Sequence, residues 1–78
     1  MSKRKSKLPP DPEGQNDDRA EWAAASLRHF QCTTGTEYED APSDLIGDLM
    51  HWCDRNGMDF ERELNRARRH YQEETAAV

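Results

Sequence analysis

Apolar residues recur at helical spacing in three stretches of the chain. The strongest stretch lies at 44–55, where five apolar residues, with Trp52 at the edge, span an arc of about 160° at 100° per residue: Leu45, Ile46, Leu49, Met50 and Cys53. A narrower seam over 60–74 repeats at intervals of four, three and four residues: Phe60, Leu64, Ala67 and Tyr71. The third stretch, over 19–33, has an alanine-rich face: Ala20, Ala23, Ala24 and Leu27, flanked by Phe30.

These patterns predict an all-α domain of three helices, at about 19–33, 44–55 and 60–74. Alternation of apolar and polar residues never persists long enough to predict a strand. The second and third helices are separated by a short turn, which predicts an αα-hairpin. We expect the second helix to be the centre of the core and to pack its arc against Phe60, Leu64 and Tyr71.

Residues that cap helices stand near the ends of these stretches. The predicted N-caps are Asp18, where Glu21 completes a capping box, then Ser43 or Asp40, and finally Asp59. Pro42 suits the first turn of the second helix, because the missing N–H of proline has no helical partner there. Gly35 and Gly57 follow the first two helices and suit the left-handed conformation that ends a helix.

Composition divides the chain into a basic end and an acidic body. Residues 1–17 hold three of the four prolines and only two apolar residues, which predicts a disordered tail. We therefore place the helical domain at 18–75 and expect 76–78 to fray. Residues 8–78 contain seven basic and sixteen acidic residues, a net charge of −9, whereas the whole chain carries −5. Such a short, acidic domain is marginally stable alone, and its unmatched apolar surface favours a homodimer.

Catalytic and metal-binding patterns are weak. His29 and Cys32, and His51 and Cys53, supply zinc-binding atoms without the spacing of a zinc finger. Because a two-residue step rotates a helix by about 200°, His51 and Cys53 face apart. Cys53 belongs to the apolar arc, where a free cysteine acts as a small hydrophobe. We expect no enzyme activity, no metal and no cofactor.

An aromatic residue on the first predicted helix indicates protein contact. Trp22 lies roughly opposite Ala20, Ala24 and Leu27, on the side that also holds Ser26 and His29. A tryptophan turned away from the core is a plausible anchor for a protein partner, since tryptophan is enriched at binding hot spots. In the alternative, this helix packs with a different face or Trp22 covers the following loop.

Charged residues support two rival hypotheses. A nucleic-acid accessory protein would bind phosphate through a basic set: Lys3, Arg4, Lys5, Lys7, Arg62, Arg66 and Arg69. Each of the three arginines has an acidic residue three positions before it or four positions after it, and this spacing also fits a solvated, ion-paired helix face. In the second hypothesis, an acidic decoy imitates nucleic-acid phosphate towards a basic protein through five carboxylates: Glu37, Glu39, Asp40, Asp44 and Asp48.

Features that would direct the chain out of the cytoplasm are weak. No apolar run has the length of a membrane span, so we expect no membrane contact. The basic start is followed by Leu8-Pro9-Pro10-Asp11, where a signal peptide would have its apolar region. Two cysteines at unrelated positions do not form a disulfide framework, which favours reduced thiols in the cytoplasm.

One segment carries a resemblance. The stretch Asp44–Thr75, together with Phe30–Ser43, resembles short uncharacterised proteins encoded on proteobacterial plasmids, phages and integrated elements. The resemblance covers about 18–75, and its most specific part is LMHWCDRNG (49–57) followed by Asp59 and Phe60. It implies a bacterial mobile-element protein of this size. It implies no activity and assigns no catalytic or ligand residue.

Overall fold

Three helices form the fold of the computed structural model, which describes residues 8–76. They are α1 (Gln15–Thr34), α2 (Ala41–Arg55) and α3 (Phe60–Glu74). No strand occurs among the described residues, so the predicted all-α class is confirmed. The four basic residues of the predicted tail, Lys3, Arg4, Lys5 and Lys7, lie outside the described range, as do residues 77 and 78.

The helices meet end to end in chain order, like the sides of a triangle. At 1.5 Å per residue α1 is about 30 Å long, and α2 and α3 are each about 22 Å long. The α2 helix packs against both α1 and α3. Glu74, the last residue of α3, contacts Asn16 and Arg19 in the first turns of α1. An up-and-down bundle would place the end of α3 beside the end of α1 instead. The extents of 39 × 29 × 16 Å fit this flat arrangement.

The start of α1 differs from the prediction. The helix begins at Gln15, four residues early, so the tail boundary at residue 17 and the capping box of Asp18 and Glu21 are both wrong. Asp11 supplies the cap instead: its carboxylate accepts hydrogen bonds from Asn16 N at 3.0 Å and from the next backbone N–H at 3.1 Å. Gly14 N donates to Asp11 O across a tight turn, and this turn places the Asp11 carboxylate next to the first backbone N–H groups of α1.

The start of α2 is also earlier than predicted. The helix begins at Ala41, and Pro42 lies in its first turn as expected. Asp40 occupies the N-cap position, but its side chain accepts no capping hydrogen bond. Ser43 does not cap either, because its hydroxyl donates to Asp40 O. The exposed turn before α2 therefore leaves its first N–H groups without a side-chain cap.

The remaining helix ends confirm the sequence predictions. Asp59 caps α3 by accepting a hydrogen bond from Arg62 N at 3.2 Å. Gly35 and Gly57 are left-handed, with φ of 75° and 69°. Met58 N donates to Cys53 O at 3.0 Å, the bond that closes a Schellman motif around Gly57.

The apolar core is much smaller than predicted. Among the described residues only Ala41 and Cys53 are buried. Leu49 and Met50 of the α2 arc remain 44% and 46% exposed, and Tyr71 of the α3 seam is 59% exposed. The predicted core packing is therefore wrong for Leu49, Met50 and Tyr71, whereas Phe60 and Leu64 of α3 are half-buried. In the middle of α2, Ile46, Leu49 and Met50 are therefore only partly covered by the other helices.

Candidate interaction surfaces

Trp22 lies on the outer side of α1. Its side chain is 68% exposed, and Ser26 and His29 beside it are exposed too. Half-buried residues of α1 that include Ala24, Leu27 and Gln31 lie on the other side, and the half-buried Phe30 lies at the edge between the two sides. The predicted orientation of Trp22 is thus confirmed, and the alternative in which Trp22 covers a loop is wrong. We call Trp22, Ser26 and His29 the Trp22 face.

The arginines of α3 also point away from the other helices. Arg62, Arg66 and Arg69 line a shallow exposed depression together with Asp59, Glu61 and Asn65. Arg66 Nη1 lies 3.2 Å from Glu63 Oε1, the ion pair expected from their spacing. Asp59 interacts with the backbone N–H of Arg62, and no ion pair joins Arg69 to Glu73. Carboxylates thus lie among the basic side chains, and their negative charge reduces the attraction of this surface for phosphate.

The five predicted decoy carboxylates are all exposed. Glu37 and Glu39 lie in the turn before α2, and the other three recur every four residues along one stripe of that helix: Asp40, Asp44 and Asp48. None of the five has a basic side chain within ion-pair distance in the described part of the chain. The stripe is therefore a strongly negative surface, as the acidic composition predicts.

An uncharged apolar surface occupies the middle of α2. Ile46, Leu49 and Met50 are 49%, 44% and 46% exposed and lie within about 100° of one another around the helix. We call these three residues the open face. At 100° per residue the acidic stripe lies on the opposite side of α2. The sequence identified these residues as apolar, but it placed them inside the core.

A network of polar contacts joins the two ends of the triangle. Asn16 Nδ2 donates to Glu74 O at 2.8 Å, and Arg19 Nη1 donates to Asn16 Oδ1 at 2.9 Å. Arg19 Nε lies 3.2 Å from Glu74 Oε2. We call Asp11, Asn16, Arg19 and Glu74 the clasp. Sequence analysis missed it, although Asp-Pro-Glu-Gly (11–14) carries aspartate, proline and glycine at positions that a type I turn favours.

Beside the clasp is an open cleft of about 490 Å³. Its apolar walls are Leu8, Pro9, Ala20 and Tyr71. Tyr71 therefore borders the N-terminal segment and α1, rather than the middle of α2 as the sequence predicted. The cleft thus brings residues from distant parts of the chain close together beside the clasp.

The cysteines and histidines remain dispersed. Cys32 is exposed and Cys53 is buried, both as free thiols. Residues 8–76 contain no group of three or more histidine, cysteine, aspartate or glutamate side chains placed to hold a metal ion. Over the same residues, no helix combines the length and hydropathy needed to cross a bilayer.

Comparison of the chain with protein-family models, with curated proteins and with solved structures gives no match. The arguments that follow therefore use the chemistry and geometry of this chain.

Proposed function

We propose that this chain is a small, non-enzymatic protein-interaction module that works in the cytoplasm without a cofactor and binds a protein partner through the Trp22 face. We further propose that it comes from a bacterial mobile element, on the basis of the resemblance carried by residues 18–75. The partner is a host protein or another protein of the element.

The exposure of Trp22 is the observation that carries this proposal. Removing a large aromatic ring from water stabilises a complex. Because a tryptophan side chain has only two torsions, little conformational entropy is lost when it is fixed in an interface. Yet 68% of Trp22 remains in water. Ser26 and His29 add hydrogen-bonding groups to the same side of α1. An aromatic anchor with adjacent polar groups is the usual composition of a binding hot spot.

Truncation of the anchor tests the proposal. The full chain, carrying an affinity tag, is used to capture proteins from bacterial lysate, with and without nuclease. We expect a stoichiometric band that survives nuclease and that Trp22→Ala weakens at least about tenfold, as expected for an interface hot spot. The free energy of unfolding should change by less than about 0.5 kcal/mol, because the Trp22 side chain is exposed and surface substitutions have small effects.

Tyr38→Ala is the matched control. Tyr38 is also an exposed aromatic residue, at 79%, but it lies in the turn before α2. Capture should be unaffected by this variant. A signal that nuclease abolishes would support the nucleic-acid hypothesis and overturn ours. Capture that tolerates Trp22→Ala but fails when Glu37, Glu39 and Asp40 are all changed to their amides would support the acidic decoy instead.

A further inference from the structure

We infer that the open face is covered by a second copy of this chain, in a two-fold dimer whose α2 helices pack antiparallel. A two-fold axis near the middle of α2 would place Ile46 and Met50 of one copy beside the same residues of the other. Such an interface is self-complementary, because each copy contributes the same surface patch. It is distinct from the Trp22 face.

The amount of exposed surface supports an interface of ordinary size. The chain exposes 6643 Å². Subtracting a fully extended chain's surface for the nine residues outside the described range, about 1,400 Å², leaves at least about 5,200 Å² for the rest. A compact monomer of about 8 kDa exposes about 4,500 Å². The excess of about 700 Å² belongs to the whole chain and not to the open face alone. It shows that one copy exposes more surface than a compact monomer, by an amount comparable to the roughly 800 Å² that each partner contributes to a standard interface.

The chemistry of the open face selects an apolar partner. Ile46, Leu49 and Met50 carry no charge, and the acidic stripe lies on the opposite side of α2. One exposed carboxylate, that of Asp54, lies at the edge of the open face, one turn after Met50. A basic partner would therefore find nothing to pair with at the centre of this surface. A second open face matches it in both polarity and size. Burying it would also provide the core that one copy lacks, where no side chain larger than Cys53 is buried among the described residues.

Charge substitution at neighbouring positions tests the dimer. Met50→Glu places a carboxylate on the open face, whereas His51→Glu adds one on the charged side of the same helix. In sedimentation experiments we expect the wild type and His51→Glu to have twice the monomer mass of 9.1 kDa. Met50→Glu should raise the dissociation constant at least about 30-fold, as at an interface hot spot. Equal association of the two variants would overturn the inference.

A second measurement does not depend on whether Met50→Glu folds. The melting temperature of the wild type should rise over about a hundredfold increase in concentration, because association stabilises only the folded chain. Association should also strengthen with added sodium chloride, since each copy carries −5 and salt screens their repulsion. A monomer mass with a melting temperature independent of concentration would contradict the dimer. Association that weakens steeply with salt would contradict its apolar basis.

The dimer and the proposed function fail separately. Trp22→Ala should remain dimeric, because Trp22 lies on α1 away from the open face. A dimer without any Trp22-dependent partner would leave the inference standing and remove the proposed function. A monomer that still captures a partner through Trp22 would support the proposed function and overturn the dimer.

Discussion

Replacing Ala41 by glutamate should abolish the cooperative thermal unfolding of the protein. Ala41 is 1% exposed, at the corner where α2 follows α1. A longer side chain would overpack this corner, and its carboxylate would be buried without a basic partner. We expect a loss of at least about 3 kcal/mol in the free energy of unfolding. A core of this size supplies about 3–5 kcal/mol in all, so little stability would remain.

Ser43→Glu is the matched control for this variant. Ser43 lies two residues later in the same first turn of α2 but is exposed. A carboxylate there interacts favourably with the positive end of the helix dipole, so stability should stay the same or rise slightly. Circular dichroism melts at one fixed concentration would compare the two variants. A wild-type melt for Ala41→Glu would show that this corner is not packed as the structure has it.

Replacing Asp11 by alanine should fray the first turn of α1 and lower stability by about 1–2 kcal/mol. The variant removes the acceptor of two backbone N–H groups, those of Asn16 and Asp17. In a domain of this size such a loss lowers the melting temperature by several degrees, at about 4–8 °C for each kcal/mol. Amide hydrogen exchange at these two positions should accelerate.

Two further variants isolate the cap from a general effect of charge. Glu13→Ala removes an exposed carboxylate from the same turn and should leave both the melt and the exchange rates unchanged. Asp11→Asn keeps one oxygen acceptor and should recover part of the loss. If Glu13→Ala and Asp11→Ala were equivalent, the cap would be an electrostatic effect and not a hydrogen-bonded one.

Local signals predicted the helices and several of their ends. The left-handed Gly57 and the capping Asp59 depend on residues within a few positions, so the sequence alone specifies the turn between α2 and α3. The orientation of Trp22 followed from the rotation per residue within a single helix. These predictions required no knowledge of how the helices pack.

The start of α1 was missed although its signal is local, because Asp11 caps the helix across the turn at 11–14. The other features that were missed depend on tertiary geometry: Asn16, for example, is held by Glu74, which lies 58 residues away in the chain. Periodicity identified Leu49 and Met50 as members of an apolar face. It did not give the packing of the helices, in which one side of α2 stays partly exposed. The sequence therefore predicted which apolar residues form the open face, but it did not predict that they are exposed.

The clasp also bears on how the chain folds. Among the described residues, the contacts of Glu74 with Asn16 and Arg19 are the only side-chain hydrogen bond and ion pair that join distant parts of the sequence. Proteins dominated by local contacts fold quickly, because little loop entropy is lost before contacts form. The corners at α1–α2 and α2–α3 should thus form first, and the clasp should close after the rate-limiting barrier. Weakening the clasp would then speed unfolding and leave the folding rate unchanged.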